Sequence, residues 1–190
     1  MKRTVAIQGV IGAYHEIAAR KYFDGEEIDI LPCKHFRDVI NAVKRDPSLI
    51  GIMAIENTIA GSLLQNHELI RESGLKVIGE QKIHISHSLA VLPDETIDTI
   101  QEVNSHPIAL MQCRDFLDTL PHVKVVEAED TASSAKRIAE ENLKHHAAIC
   151  GKYAAEVYGL KTIAEGIETN KRNFTRFLLF ANPWVADDMT

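Results

Sequence analysis

The residues best suited to chemistry lie near the end of the chain, where Asn173, Thr175 and Arg176 stand close together. An amide, a hydroxyl and a guanidinium can all donate hydrogen bonds, and here they precede the apolar run 178–181. In α/β proteins, ligands usually bind beside strand ends. The pattern predicts a site for a small anion, and a polar turn before a core strand is the alternative.

Short loops that follow predicted strands and open predicted helices offer further donors. The first turn of a helix has free N–H groups and a partial positive charge of about half a unit, which favours anions. In the third loop we expect Ser105 to cap the helix, with Pro107 in its first turn. Several such loops around one cleft would bind a small polyanion, although capping alone explains each of them. The four loops are 8–14, 55–62, 104–107 and 129–135.

The elements that must position these residues alternate between strands and helices. Residues 50–55 form a continuous apolar stretch of the kind that is buried in parallel sheets, and Phe36, Val39, Ile40 and Val43 mark a helix face. The alternation predicts an α/β fold with mostly parallel sheets. Predicted strands are 5–7, 28–31, 50–55, 76–92, a short one ending at 103, 123–126, 147–150, 160–164 and 177–180. Predicted helices are 13–23, 36–43, 63–70, 108–120, 131–143 and 152–158.

The bulk composition argues against several classes of protein. The 190 residues carry a net charge of -6, which disfavours a broad nucleic-acid surface. No apolar run approaches ~18 residues, so no membrane span is expected, and the apolar part of the amino terminus is too short for a signal peptide. The three cysteines (Cys33, Cys113, Cys150) lack the spacing of a disulfide framework or a zinc site. We therefore expect a cytoplasmic protein.

Familiar catalytic motifs do not occur in the sequence. Gly9 and Gly12 fit neither a dinucleotide-binding loop nor a P-loop. There is no G-x-S-x-G elbow and no H-E-x-x-H pair, which argues against an α/β-hydrolase serine and a zinc protease. The spacing of Cys113 from Ala109 and Phe116 predicts a buried residue rather than a nucleophile.

Five motifs in chain order resemble those of the prephenate dehydratase family. They are Gly9-x-x-Gly12-Ala13-Tyr14; Glu56-Asn57-Thr58 with Gly61-Ser62; Ser105-His106-Pro107-x-Ala109-Leu110-x-Gln112-Cys113; Asp130-Thr131-Ala132; and Asn173-x-Thr175-Arg176-Phe177. The resemblance covers nearly the whole chain. It implies a two-lobed α/β fold similar to type II periplasmic solute-binding proteins, with the active site in the interlobe cleft. We expect lobe 1 to comprise 1–76 and 166–185, and lobe 2 to comprise 77–165.

The resemblance also implies an activity, in which prephenate loses carbon dioxide and hydroxide to give phenylpyruvate in phenylalanine biosynthesis. Aromatisation drives that reaction, so no cofactor and no metal are expected. Thr175 matches the catalytic threonine of the family, and we expect its hydroxyl to donate a hydrogen bond to the departing oxygen. Water or His106 would supply the proton. The matching substrate-binding residues are Glu56, Asn57, Thr58, Gly61, Ser62, Ser105, His106, Gln112, Thr131, Asn173 and Arg176.

Several alternatives stay open at this point. Arg176 could hold a carboxylate or form a structural ion pair, and Glu56 could orient the site or pair with Arg176 or Arg172. The substrate could be arogenate, or the chain could be a non-enzymatic module that binds small anions. Ile108 stands where the family usually has Gln, which argues against a polar role at that position.

The end of the chain departs from the pattern of many family members, which continue into an ACT domain that binds phenylalanine. The sequence ends at Thr190, and the tail 182–190 resembles the start of a linker, with 186–190 outside lobe 1. We therefore expect no ACT domain and no inhibition by phenylalanine. A homodimer or a higher homo-oligomer is the expected assembly.

Overall fold

The computed structural model describes residues 2–189 and divides the chain into two compact units. Unit 1 comprises Tyr14–His84, the residues up to Val10 and those from Asn173 onward; unit 2 comprises Ile11–Ala13 and Ile85–Arg172. Both combine strands with helices, which confirms the predicted two-lobed α/β class. None of the helices in the described part is both long and apolar enough to cross a membrane.

Strands and helices follow one another along most of the chain. In order they are β1 (Arg3–Gln8), α1 (Tyr14–Tyr22), β2 (Ile28–Cys33), α2 (Phe36–Arg45), β3 (Leu49–Asn57), β4 (Gly61–Ser62), α3 (Leu64–Ser73), β5 (Lys76–His84), β6 (Ser88–Val91), β7 (Glu102–Ser105), α4 (Pro107–Gln112), α5 (Arg114–Asp118), β8 (Lys124–Glu127), α6 (Thr131–Glu141), β9 (His146–Cys150), α7 (Lys152–Val157), β10 (Lys161–Ala164), β11 (Phe174–Ala181) and α8 (Pro183–Met189).

Each unit contains one sheet with a parallel part and an antiparallel part. The sheet of unit 1 has the order β2-β1-β3-β11-β5, with β4 paired to β3, and the sheet of unit 2 has the order β10-β6-β9-β7-β8. The predicted parallel pairing joins β1 to β2 and β3, and β7 to β8 and β9. The other ladders are antiparallel, including those of β11, which returns to unit 1 between β3 and β5.

The core of unit 1 forms around β3, as its apolar sequence predicts. Residues 49–55 are all buried, and Val39, Ile40 and Val43 of α2 pack on one face of the sheet. Gly51 is required where β3 passes β11, because a Cβ there would lie 2.2 Å from the ring of Phe180. This close contact fixes the two strands against each other at the centre of the sheet.

Unit 2 has its own core beneath its sheet. Strand residues such as Leu89, Val103 and Ile149 are fully buried against Leu110 and Cys113 at the end of α4. The predicted helix 108–120 is divided into α4 and α5 at Cys113, whose backbone leaves the helical conformation at φ -108°. Burial raises the pKa of the Cys113 thiol to about 12. This agrees with the prediction that Cys113 is a packed side chain rather than a nucleophile.

The boundaries between the units lie later in the chain than we predicted. The first division follows His84 rather than residue 76, because the whole of β5 pairs with β11. The second follows Arg172 rather than residue 165. Backbone hydrogen bonds from Ile167 to His87 and from Thr169 to Gln112 hold the preceding segment to unit 2.

The loop 55–62 leads into α3 at Leu64 as expected, but it first forms β4, which pairs with the end of β3. The tail 182–190 was expected to begin a linker, and this was wrong, because Pro183–Met189 form α8 and Asp187 pairs with Lys76 of β5 at 2.9 Å. Thr190 lies outside the described residues.

Candidate functional site

The candidate site in unit 1 forms where β3 and β11 end together. Thr175 lies opposite Asn57, and Arg176 lies opposite Glu56. The register then shifts, and Ile55 is an extra residue on β3, which makes a β-bulge. Thr175 and Arg176 were expected just before the last strand, but both belong to it, because the ladder continues to Phe174.

The side-chain amide of Asn57 organises this end of the sheet. Its oxygen accepts the N–H groups of Ile59 and Ala60, each at 2.9 Å. Because an amide nitrogen could not accept those bonds, they fix the orientation of the side chain. Nδ2 then donates to Asn173 Oδ1 at 2.8 Å and to Thr175 Oγ1 at 2.9 Å. Asn57 thus ties the turn after β3 to the start of β11.

The hydroxyl of Thr175 accepts the bond from Asn57 and retains its own proton. Within residues 2–189, no acceptor lies at hydrogen-bonding distance of that proton. The Thr175 side chain is half-buried, whereas Asn173 beneath it is fully buried. An alcohol is a poor acid at neutral pH, but held in this way it is a well-placed hydrogen-bond donor. The arrangement can therefore stabilise negative charge that develops on a ligand oxygen.

Other predicted residues on the turn after β3 have structural contacts of their own. Thr58 N–H donates to the carbonyl of Phe174, and Thr58 Oγ1 accepts from Phe174 N–H, both at 2.9 Å. Gly61 and Ser62 are exposed on β4. Gly61 has φ 88°, in the left-handed region that favours glycine. Thr58 therefore fastens the turn to β11, and Gly61 allows the turn to close.

Arg176 does not share a face with Thr175. Successive side chains on a strand point to opposite faces, and Arg176 Nε lies 3.8 Å from a carboxylate oxygen of Glu80 on β5. Among the described residues this buried nitrogen has no hydrogen-bond partner. Glu56 is its neighbour across the strands. The geometry favours the ion pair that was the alternative for Arg176, and a contact with substrate stays a prediction.

In unit 2, Ser105 and His106 have contacts that differ from those expected. Ser105 is fully buried, and its hydroxyl donates to the carbonyl of Ile149 at 2.6 Å. The helix cap predicted for Ser105 is provided by His106, whose Nδ1 accepts from Ile108 N–H at 3.1 Å. Burial lowers the pKa of His106, so its ring is neutral at pH 7 with the proton on Nε2. That Nε2–H can donate to a ligand.

Gln112 belongs to a buried polar network in unit 2. Its Oε1 accepts from His87 Nε2 at 2.8 Å, and its carbonyl accepts from Thr169 N–H at 2.8 Å. The backbone N–H of His87 donates to the buried carboxylate of Glu168 at 3.0 Å. Burial lowers the pKa of His87, although the bond to Gln112 opposes this. The network holds the segment that leads out of unit 2.

Thr131 is the first residue of α6, where part of the anion-binding capacity is already used. The N-cap Asp130 accepts the N–H of Ser133 at 2.6 Å, and its carbonyl accepts the hydroxyl of Ser134 at 2.7 Å. A helix start that holds its own carboxylate attracts a second anion less strongly. In unit 1, direct bonds join Asn57 to Asn173 and Thr175. Unit 2 carries Ser105, His106, Gln112 and Thr131.

Sequence reasoning missed three side chains that bind the backbone of β3. His15 Nε2 accepts from Ala54 N–H at 3.2 Å, Asn66 Nδ2 donates to the Ala54 carbonyl at 2.8 Å, and His67 Nε2 lies 3.1 Å from the Ile55 carbonyl. Burial lowers the pKa of His15 to about 4, so the ring is neutral and can accept. One signal was present, since Asn66 falls four positions before the buried Ile70 on the inner face of a predicted helix.

Comparison with known proteins identifies relatives over nearly the whole chain. The family model described as "PDT: Prephenate dehydratase" matches residues 5–183. "Arogenate dehydratase/prephenate dehydratase 2, chloroplastic" of Arabidopsis thaliana is 39% identical over 177 residues, which are 93% of this chain and 46% of the relative. This chain therefore spans about half the length of that curated relative.

Two solved structures are similar in both fold and sequence. The prephenate dehydratase of Arthrobacter aurescens, in complex with L-Phe, has a TM-score of 0.85 and 28% identity, covering 95% of this chain and 60% of that one. A structure described as GqqA, a "novel type of quorum quenching acylases", has a TM-score of 0.84 and 32% identity, covering 95% and 64%.

Proposed function

Because this chain belongs to the prephenate dehydratase family, we propose that it converts prephenate to phenylpyruvate in the biosynthesis of phenylalanine. Beyond the family, the observation that carries the proposal is the Asn57–Thr175 hydrogen bond at 2.9 Å, which orients a hydroxyl and leaves its proton available. The reaction needs such a donor, because its leaving group is hydroxide.

The proposed reaction breaks two bonds of prephenate. The bond to the ring carboxylate breaks and releases carbon dioxide, and its electron pair moves through the ring to expel hydroxide from the opposite carbon. One proton converts hydroxide to water, and the ring becomes aromatic. No oxidant or reductant enters this balance, so we propose a reaction without a cofactor.

Thr175 is the proposed catalytic residue. Its hydroxyl would donate to the oxygen that leaves, and a preorganised donor of this kind is worth roughly 3 kcal/mol in other enzymes. Asn57 and Asn173 would hold it in place through bonds of 2.9 Å and 2.8 Å. The bond from Thr175 would stabilise the transition state more than bound prephenate, because the charge on that oxygen grows only as its bond to the ring breaks.

Residues of unit 2 are proposed to donate hydrogen bonds to the two carboxylates of prephenate. The Nε2–H of His106 is a donor that no hydrogen bond within the described residues uses, and Thr131 offers a hydroxyl at the start of α6. Water would supply the proton, because the neutral ring of His106 is a poor acid at pH 7. Ser105 and Gln112 would act mainly through the scaffold, because each is already bonded internally.

The decisive experiment incubates the purified protein with prephenate and measures phenylpyruvate by its absorbance in alkali. We expect turnover by the unaltered protein and a large loss in Thr175→Val, which removes the hydroxyl and keeps the side-chain volume. Binding of prephenate without turnover would favour the non-enzymatic module instead. A parallel assay with arogenate, compared through kcat/KM, decides which of the two substrates is preferred.

An acylase is the second candidate, because it is the activity named for one structural relative. Hydrolysis of an acyl amide would need Thr175 or another residue as an activated nucleophile, with a base that accepts its proton. Within the described residues the hydroxyl of Thr175 instead accepts a bond from an amide. Release of a free amine from an N-acyl substrate at a rate above that of Thr175→Val would support this candidate.

We also propose that the protein acts in the cytoplasm as a homodimer. Two-fold dimers are the commonest assemblies of soluble proteins. The mass in solution, measured by light scattering during size-exclusion chromatography, checks the assembly. A monomer at micromolar concentration would contradict it.

A further inference from the structure

The bulge in β3 decides which side chain faces Thr175. Ile55 is the extra residue; if it were paired in the register set deeper in the sheet, Glu56 would lie opposite Thr175. Because Ile55 bulges out of the ladder, Asn57 lies there instead. The difference is chemical, because a carboxylate would accept the proton of the hydroxyl, whereas the amide of Asn57 donates and leaves that proton available.

The backbone of β3 lacks a neighbouring strand beside this bulge. On the side away from β11, β1 pairs with β3 as far as Gly51, and β4 begins to pair at Glu56. Between these positions the peptide groups of β3 need other partners, because an unpaired backbone group is costly where the chain is buried. Residues 52–55 are all buried.

Side chains from two helices supply these partners. His15 of α1 accepts from Ala54 N–H at 3.2 Å. From α3, Asn66 donates to the Ala54 carbonyl at 2.8 Å, and His67 Nε2 lies 3.1 Å from the Ile55 carbonyl. The Ile55 carbonyl also accepts the backbone N–H of Leu63 at 2.8 Å. Side chains therefore hold both peptide groups of Ala54, and His67 adds to a backbone bond at Ile55.

We infer that His15, Asn66 and His67 are positioning residues that fix the bulge and thereby hold Asn57 against Thr175. The inference rests on the proposed function for its effect on catalysis, but the register itself can be measured without substrate. None of these three side chains is bonded to the hydroxyl, so they act through the backbone.

The test replaces His15 with Phe. The new ring can keep the packing of the imidazole against Phe36 and Phe177, whose ring centres lie 5.5 Å and 5.0 Å away, but it cannot accept from Ala54 N–H. A misplaced catalytic group lowers turnover strongly, so we expect kcat for prephenate to fall about tenfold with KM within about twofold. His15→Gln, which restores an acceptor, should recover a large part of kcat.

Two further variants separate positioning from a general loss of stability. Asn66→Leu removes the donor to Ala54 from the other helix and should lower kcat in the same way. His122→Phe is the matched control, because His122 is an exposed histidine of unit 2. It should leave kcat and KM unchanged.

The register is read by cross-strand NMR contacts between Asn57 and Thr175, which should weaken in His15→Phe and Asn66→Leu. Unchanged contacts in both folded variants would overturn the inference, whether or not kcat falls. If the unaltered protein does not turn over prephenate, the proposed function fails. The NMR contacts then decide the inference alone.

Discussion

Two hydroxyl groups, one in each unit, show how similar motifs acquire different roles. Thr175 accepts a bond from the amide of Asn57 and keeps its proton, whereas Ser105 gives its proton to the carbonyl of Ile149. Both follow short polar motifs beside strands, and both were expected at the substrate. The comparison teaches that the direction of one hydrogen bond separates a hydroxyl available to a ligand from one that stabilises the fold.

The surroundings explain this difference. Ser105 is fully buried at the end of β7, where the polar group it reaches is a backbone carbonyl, and a carbonyl only accepts. Thr175 is half-buried opposite a side-chain amide whose oxygen is already satisfied by two backbone N–H groups. The first environment consumes the proton, and the second leaves it available.

The largest expected effect on kcat comes from removing the hydroxyl of Thr175, whose proton is available to a ligand. Thr175→Val should lower kcat for prephenate at least about a hundredfold while KM changes by less than about threefold, because the lost bond forms mainly in the transition state. Steady-state kinetics check this. Thr175→Ser keeps the hydroxyl and should retain most activity. Equal losses in the two variants would contradict a role for the hydroxyl.

Reversing the direction of the hydrogen bond between Asn57 and Thr175 should make the Thr175 hydroxyl donate its proton within the fold, as Ser105 does. In Asn57→Asp the carboxylate can accept the hydroxyl proton but cannot donate, so we expect kcat to fall about thirtyfold. The measurement is kcat across pH 6 to 8. Asn57→Asp with turnover equal to the unaltered protein would show that the donor direction is irrelevant.

Ser105→Ala should act on stability more than on turnover. It leaves the buried carbonyl of Ile149 without its side-chain donor, which costs about 1–3 kcal/mol of unfolding free energy. Urea unfolding measures this loss, and kcat should change by less than about threefold. A large fall in kcat without a change in stability would place Ser105 at the substrate.

Acid should weaken the fold through His15, and this effect can be separated from others by mutation. Its folded pKa is about 4, below the usual value of 6.5, because burial opposes the charge. Between these values the unfolded chain binds more protons, so stability is fully present above pH 6.5 and falls toward pH 4. The unfolding midpoint should decline less steeply over this range in His15→Phe than in the unaltered protein.

The smallest effect is expected for Arg176. Because its guanidinium lies near Glu80 and on the face opposite to Thr175, Arg176→Lys should change kcat and KM by less than about twofold. Kinetics on prephenate provide the check. A KM raised tenfold or more would instead support the predicted contact between Arg176 and a carboxylate.

The sequence predicted those parts of the fold that depend on burial. Residues 50–55 are continuously apolar, and a stretch of this kind has few stable arrangements other than a central strand. The face of α2 was equally clear, because Val39, Ile40 and Val43 are the buried residues of that helix. The motifs containing Asn57, Asn173 and Thr175 were also identified, and direct hydrogen bonds join these three residues.

The sequence could not predict what depends on register and on competition between neighbouring polar groups. Ser105 and His106 are both able to cap a helix, and the extension of β7 through Ser105 decided between them. The bulge at Ile55 has no glycine or proline to mark it. The separation of Arg176 from Thr175 follows from strand alternation, which applies only once both residues are known to lie within β11.

The position of β11 also determines how the protein can fold during synthesis. This strand is the last one among the described residues, yet it lies between β3 and β5, so the sheet of unit 1 has a gap until β11 has left the ribosome. Residues 85–172 of unit 2 are made earlier and without interruption. A nascent chain that ends before Phe174 exposes two unpaired strand edges, which is the condition that invites aggregation and binding by chaperones.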